Sequence, residues 1–194
     1  MLTIKPLSLE DVDHLMGWVN DHEVVGRFIS FTRHFSREDE LAYVKKVSTS
    51  ENDRVFSLME QGNYVGQLGL HEIDWRRHSA RLALFIVKKY WGRGYAQQAM
   101  QCAVAYAFGT LQLHKLWLMV WEENEKGKPI YEKCGFKPEG VLRDEYFHNG
   151  CYHNIVRMSL LETYIGADMK VDMGEDTKGD FHACACNAGC GCLY

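Results

Sequence analysis

Two glycines between an apolar strand and an alanine-rich helix mark the segment best equipped for chemistry. From Phe85 to Ala96 the chain reads Phe-Ile-Val-Lys-Lys-Tyr-Trp-Gly-Arg-Gly-Tyr-Ala. Gly92 and Gly94 permit a tight turn and let a ligand approach the backbone closely. The helix opening behind them starts with unpaired N–H groups and the positive end of its dipole, which suits a diphosphate. Lys88, Lys89 and Arg93 place positive charge beside it. The spacing is not that of a Walker loop, because no Gly-Lys-Ser/Thr follows, and the third glycine of a dinucleotide GxGxxG is missing. Alone, such a turn is equally read as plain punctuation before a helix.

A partner segment runs from Asn124 to Phe136, Asn-Glu-Lys-Gly-Lys-Pro-Ile-Tyr-Glu-Lys-Cys-Gly-Phe. Asn124 and Tyr131 are seven residues apart, so a helix opening at Asn124 brings both onto one face after two turns. Beside the glycine turn, that face would line the same cleft. A tyrosine here is also read as an ordinary core or rim aromatic. Pro129, beyond the first turn of such a helix, should distort it.

The elements that must position these segments are legible around them. Leu2–Leu7 reads as a short strand. Ser8, with Asp11 three residues on, opens a helix carrying Val12, Leu15, Met16 and Val19 at helical spacing. Ser36 and Asp39 open a second, with Leu41, Val44 and Val47 on one face. Arg54–Glu60 and Tyr64–Glu72 read as strands joined at Gly62-Asn63, and the apolar run Arg81–Val87 as a central strand. A long helix is expected over Tyr95–Leu111, a strand over Lys115–Trp121, and a helix from Asn124 to near Gly135. Closing strands fall around Phe136–Leu142 and Tyr152–Leu160. The predicted order is β-α-α-β-β-β-α-β-α-β-β, an α/β (α+β) arrangement.

Taken together, these residues resemble the GNAT superfamily, and more closely its RimJ/RimL and spermidine N-acetyltransferase branch. Trp91-Gly92-Arg93-Gly94-Tyr95-Ala96 is similar to the superfamily's Q/R-x-x-G-x-G/A pyrophosphate motif, with Trp91 in place of the usual Gln or Arg. Asn124, Tyr131, Gly135 and Phe136 match its second coenzyme segment, and Asp144–Glu162 looks like the closing strands of that branch. The likeness covers residues 3–165. It implies a mixed sheet of about seven strands flanked by about four helices and split by a V-shaped cleft between the strands around Arg81–Val87 and Lys115–Val120.

The resemblance also implies acetyl-CoA as cosubstrate and direct attack by an amine, with the oxyanion held by a strand N–H. Its coenzyme-binding set would be Ile86, Val87, Trp91, Gly92, Arg93, Gly94, Tyr95, Ala96 and Asn124. Tyr131 would be the general acid that protonates the leaving thiolate. Glu72 aligns with a substrate-side glutamate of the spermidine branch and is the candidate base. His71 and Asp74 are neighbours able to relay through water. Strand alternation sends His71 and Glu72 to opposite faces, so at most one should enter the cleft. Glu72 is equally read as a solvated strand-end charge. His148 and His153 read more readily as surface residues.

The acceptor is left as an amino sugar, a peptide α-amine or a polyamine. Phe28-Ile29-Ser30-Phe31-Thr32-Arg33-His34 lacks the acidic pair that the spermidine branch carries there, so a polycation finds little to hold it. Arg81 stands where relatives often have an acid. Relatives are commonly dimers, so a homodimer is the implied assembly.

Composition sets the outer bounds. With 194 residues and 46% hydrophobic content, the chain builds one domain of ordinary size. A net charge of −4 gives no general pull toward nucleic acid or an anionic membrane. The acidic N-terminal stretch is unlike a signal peptide, and no run nears the roughly 18 apolar residues of a membrane span. A cytoplasmic, soluble protein is expected. The GNAT-like domain should cover 1–165, a linker 166–181 and a tail 182–194. Cys102, Cys134 and Cys151 read as reduced thiols. Cys184, Cys186, Cys190 and Cys192, behind His182, have three readings. They are soft metal ligands, though C-x-C is tighter than zinc-finger spacing. They are a peptide presented to a maturation enzyme, with the preceding domain as leader or binding module. Or they are an extension without a role.

Overall fold

A computed structural model describes residues 2–21, 34–164 and 181–182. β1 (Leu2–Pro6) turns into α1 (Val12–Met16), and α2 (Arg37–Ser48) follows. β2 (Arg54–Glu60), β3 (Asn63–Asp74) and β4 (Ser79–Ile86) form an antiparallel meander. α3 (Tyr95–Ala105) crosses over to β5 (Lys115–Trp121), and α4 (Lys128–Lys133) leads to the long hairpin of β6 (Lys137–His148) and β7 (Cys151–Leu161). A two-residue β8 (Phe181–His182) completes one sheet in the order β6-β7-β5-β4-β3-β2-β1-β8. Among the described strands only β4–β5 is a parallel pair, which is why a helical crossover must join them.

Strand alternation feeds a core on each face. Val55 turns toward α1 and α2, where Val12, Leu15, Val44 and Val47 meet Phe85. Its neighbour Phe56 turns to the other face, where Ala99, Met100 and Ala103 of α3 cover Leu68, Leu82 and Leu118. α2 starts where its capping residues place it: Asp39 N–H donates to Ser36 Oγ at 3.2 Å, and Ser36 N–H donates to the Asp39 carboxylate at 2.9 Å.

Several local expectations are corrected. The β2–β3 turn falls on Gln61-Gly62, with φ of 48° and 78°, because a two-residue hairpin turn of this hand needs left-handed backbone at both positions. The helix expected to Leu111 is α-helical only to Ala105 and ends in a π-helical turn over Tyr106–Thr110. α4 begins at Lys128 rather than Asn124, which puts Pro129 in its first turn, where no N–H is needed and no distortion follows.

Residues 28–33 of the aromatic loop, 166–180 of the expected linker and the cysteines of the tail lie outside the described residues. Phe181–His182, expected at the junction of linker and tail, pair with β1 instead, His182 opposite Thr3 and Phe181 opposite Ile4. Among the described residues, Cys102, Cys134 and Cys151 form no disulfide with one another. Among the described residues, no helix is long and apolar enough to cross a membrane.

Candidate active site

The parallel pairing of β4 and β5 holds only at Ser79↔Lys115, Ala80↔Leu116 and Arg81↔Trp117. Beyond Arg81 the two strands part. β4 stays paired with β3 as far as Ile86, and β5 with β7 along its whole length, so each opens one edge while the other remains satisfied. A cavity of about 830 Å³ fills the gap, lined by Leu82–Phe85 and Trp117–Val120.

Val87 N–H donates to Val65 O at 2.8 Å, and its carbonyl accepts from Tyr90 N–H at 2.9 Å. Val87 therefore commits both backbone groups within the protein. Alternation turns the main-chain groups of Leu84 and Ile86 toward the gap instead. The Ile86 carbonyl accepts from the Trp91 indole Nε1 at 2.7 Å, so Trp91 closes the turn back onto the strand.

Gly92 and Gly94 have φ of 76° and 79°, which only glycine adopts without strain, and Gly94 caps α3. The Tyr95 hydroxyl donates to Glu60 and ties the helix start to β2. Along this start, the first backbone N–H to find a described carbonyl is that of Gln98, onto Gly94 O at 3.1 Å. The N–H groups ahead of it form an outward cradle at the positive end of α3. Arg93 and Lys89 bracket the Tyr90 ring, at 5.5 and 4.8 Å from its centroid. Glycine backbone, unpaired N–H groups and two cations fit the diphosphate of a coenzyme.

Asn124 and Tyr131 both line the cavity. A turn brings them there rather than two turns of helix: the Asn124 side-chain oxygen accepts from Gly127 N–H at 2.9 Å, and Tyr131 N–H donates to Gly127 O at 3.3 Å. Tyr131 is half-buried. Burial, then the Cys134 side chain, pushes its phenol above the ordinary range, so it is protonated at neutral pH.

At the far end of the cavity, His71 and Glu72 are both lining residues. This corrects the expected alternation. The β3–β4 register breaks between His71 and Asp74, and Glu72 takes a φ of 53°, so a bulge brings consecutive side chains to the same space. Glu72 is held in an ion pair, its Oε1 2.7 Å from Arg81 Nε. Asp74 instead accepts the N–H groups of Arg76 and Arg77, each at 2.9 Å, away from the cavity lining.

His71 has a different partner, Asp53, whose Oδ1 lies 2.8 Å from Nδ1. The ring lies over Gly69, where a Cβ would stand 2.3 Å from Nε2. Burial holds His71 below the ordinary histidine range against the opposing pull of Asp53. Burial works to raise Asp53, but hydrogen bonds from Ser50 and His71 keep it below the usual carboxylate range. The pair at neutral pH is thus a neutral imidazole oriented by a carboxylate. Asp39 and Glu40 of α2 add acidic groups to the cavity lining, and Tyr43 and Tyr146 add aromatic ones. Asp53, the Arg81 ion pair and the Trp91 clamp are absent from the residues that sequence reasoning singled out for these roles.

Three comparisons with known proteins bear on this geometry. The family model described as Acetyltransferase (GNAT) domain matches residues 1–137. The chain is 32% identical over 164 residues to a spermidine N(1)-acetyltransferase of Vibrio cholerae, covering 84% of this chain and 94% of that one. A crystal structure of spermidine N-acetyltransferase from Vibrio cholerae in complex with CoA and spermine superposes with a TM-score of 0.80 at 30% identity, over 84% of this chain and 96% of the other. A dodecameric structure of spermidine N-acetyltransferase from the same organism gives 0.74 at 31%, over 84% and 94%. The chain belongs to the GNAT acetyltransferase family, enzymes that move an acetyl group from acetyl-CoA to an amine.

Proposed function

We propose that this chain acetylates a primary amine of a small polyamine, with His71 as the base and Tyr131 as the acid. One observation carries the reading: the gap between β4 and β5 holds Tyr131 and a carboxylate-oriented histidine in a single cavity. Acetyl-CoA supplies the activated acyl group when bound, with the cradle over Gly92–Ala96 meeting its diphosphate and the parted strands its arm. A polyamine amine is mostly protonated at neutral pH, so a proton must leave before attack. Neutral His71 is suited to accept it, and the protonated Tyr131 phenol to deliver one to the leaving sulfur. Glu72, neutralised by Arg81, serves better as a wall of the acceptor site than as the base.

Among the described charged residues that line the cavity, Asp39, Glu40 and Glu72 outnumber Arg81 and Lys46, which favours a cationic substrate. The related spermidine enzymes support the same class. Arg81 favours a second reading, an amine carrying an anionic group such as a nucleotide-linked amino sugar. Thiol release from acetyl-CoA with each acceptor separates them. Spermidine should turn over, and Arg81→Ala should lower its KM; turnover only with the anionic amine, lost in Arg81→Ala, would establish the second reading. The dodecameric relative supports a homo-oligomer.

A further inference from the structure

Outside the cleft, the β6–β7 hairpin carries a second group of chemistry-bearing side chains. Cys151 opens β7 and is exposed. Its Sγ lies 3.1 Å from His153 Nε2. On the opposite side of that ring, Nδ1 lies 3.2 Å from Glu123 Oε1. The backbone sets up this row. Cys151 and His153 are two apart on one strand and share a face. Glu122 N–H donates to Asn154 O at 3.0 Å, which brings Glu123 alongside His153. The Trp121 ring meets the imidazole edge-on at 4.9 Å and holds its plane.

A nucleophile, a base and an orienting carboxylate in hydrogen-bond reach of one another are the parts of an activated thiol. The three do not form a metal cage, because the sulfur and the carboxylate address opposite nitrogens of one ring and cannot converge on one ion. We propose that Cys151, His153 and Glu123 form a thiol nucleophile that accepts an acyl group from a thioester. Glu123 takes the Nδ1–H bond, which leaves the Nε2 lone pair aimed at sulfur. His153 Nε2 removes the thiol proton, and the thiolate attacks the thioester carbonyl. A bond from Cys151 sulfur to the acyl carbon forms, the bond to the original sulfur breaks, and the departing thiolate takes the proton back from His153. One thioester and one thiol replace another such pair, with no oxidant or reductant involved.

The His148 carbonyl stands 3.4 Å from Sγ and 3.3 Å from Nε2. It is therefore placed to accept the Nε2–H bond once the proton has moved. The ionisable groups facing the row are Glu123 and the His148 ring, 6.3 Å from His153 between centroids, with Lys128 acting on Glu123.

The test uses the full chain and S-acetyl-N-acetylcysteamine, a small thioester without the nucleotide, followed by peptide mapping. The coenzyme turn is not needed for this probe, so failure of the proposed acetyltransferase site would not affect the result. A hydroxylamine-labile acetyl group should appear on Cys151 about tenfold faster in the folded chain than in urea-unfolded chain, and His153→Gln should remove that advantage. Iodoacetamide should alkylate Cys151 of the unsubstituted protein with the same preference for the folded state, a readout that needs no variant. Equal rates folded and unfolded, or an unchanged rate in His153→Gln, would overturn the proposal.

Discussion

Tyr131 and His71 reach the same cavity from different elements, and their surroundings suit them to the proposed acid and base roles. Burial keeps the phenol protonated and the imidazole neutral, which are the states an acid and a base need at neutral pH. Tyr131→Phe should lower kcat by about ten- to a thousandfold and leave acetyl-CoA affinity nearly unchanged, as steady-state kinetics and calorimetry would show. Asp53→Asn should lower kcat about tenfold or more, because the imidazole loses its orienting carboxylate. It should also move the acid limb of the pH profile further down, since Asp53 works to raise His71. Tyr131's place in the cavity lining was legible from the resemblance of Asn124, Tyr131 and Gly135 to the second coenzyme segment, but not from helical spacing, because the helix opens only at Lys128. Asp53 was not, for a reason of register. Counting back from the turn, Glu60 faces Asn63 and Met59 faces Tyr64, which would place Asp53 opposite Leu70. A one-residue bulge between Leu58 and Met59 shifts the pairing, and Arg54 faces Leu70, leaving Asp53 level with His71.

At the scale of elements, the proposed coenzyme turn offers backbone groups, and its glycines are the vulnerable point. Gly94 combines a φ of 79° with the cap of α3, so Gly94→Val strains the turn and covers the N–H cradle. Acetyl-CoA affinity should fall at least about a hundredfold by calorimetry while the far-ultraviolet circular dichroism holds. An unchanged Kd would remove this turn from the site. Gly66 serves the same region from behind, because a Cβ there would stand 2.1 Å from the Phe85 carbonyl and hold β3 away from the strand that opens the cleft. The order of strands and helices was readable because apolar periodicity and capping residues carry it, as at Ser36. The start of α4 was not, because Asn124 is a good cap by type yet caps only the turn ahead of the helix. The bulge at Glu72 was equally hidden, since nothing in His-Glu-Ile-Asp announces a left-handed residue.

For the whole molecule, the cleft sits in the middle of the sheet and β8 at its far edge beyond β1. The pair that β8 makes covers only two residues of β1. A chain ending at Tyr164 should therefore bind acetyl-CoA within about twofold of the full chain by calorimetry, since none of the described cavity-lining groups is lost. A tenfold loss would tie the C-terminal segment to the site. Among the described strands the one parallel pair, β4 and β5, parts beyond Arg81, and the gap it leaves is the candidate site.

The most direct test of the account is the pH dependence of kcat/KM for spermidine acetylation, in the unsubstituted protein and in His71→Gln. An acid limb below the ordinary histidine value of 6.5 is expected in the first. In the second that limb should be gone and the rate about a hundredfold lower. Two profiles of the same shape and height would contradict it and return the base's role to another group.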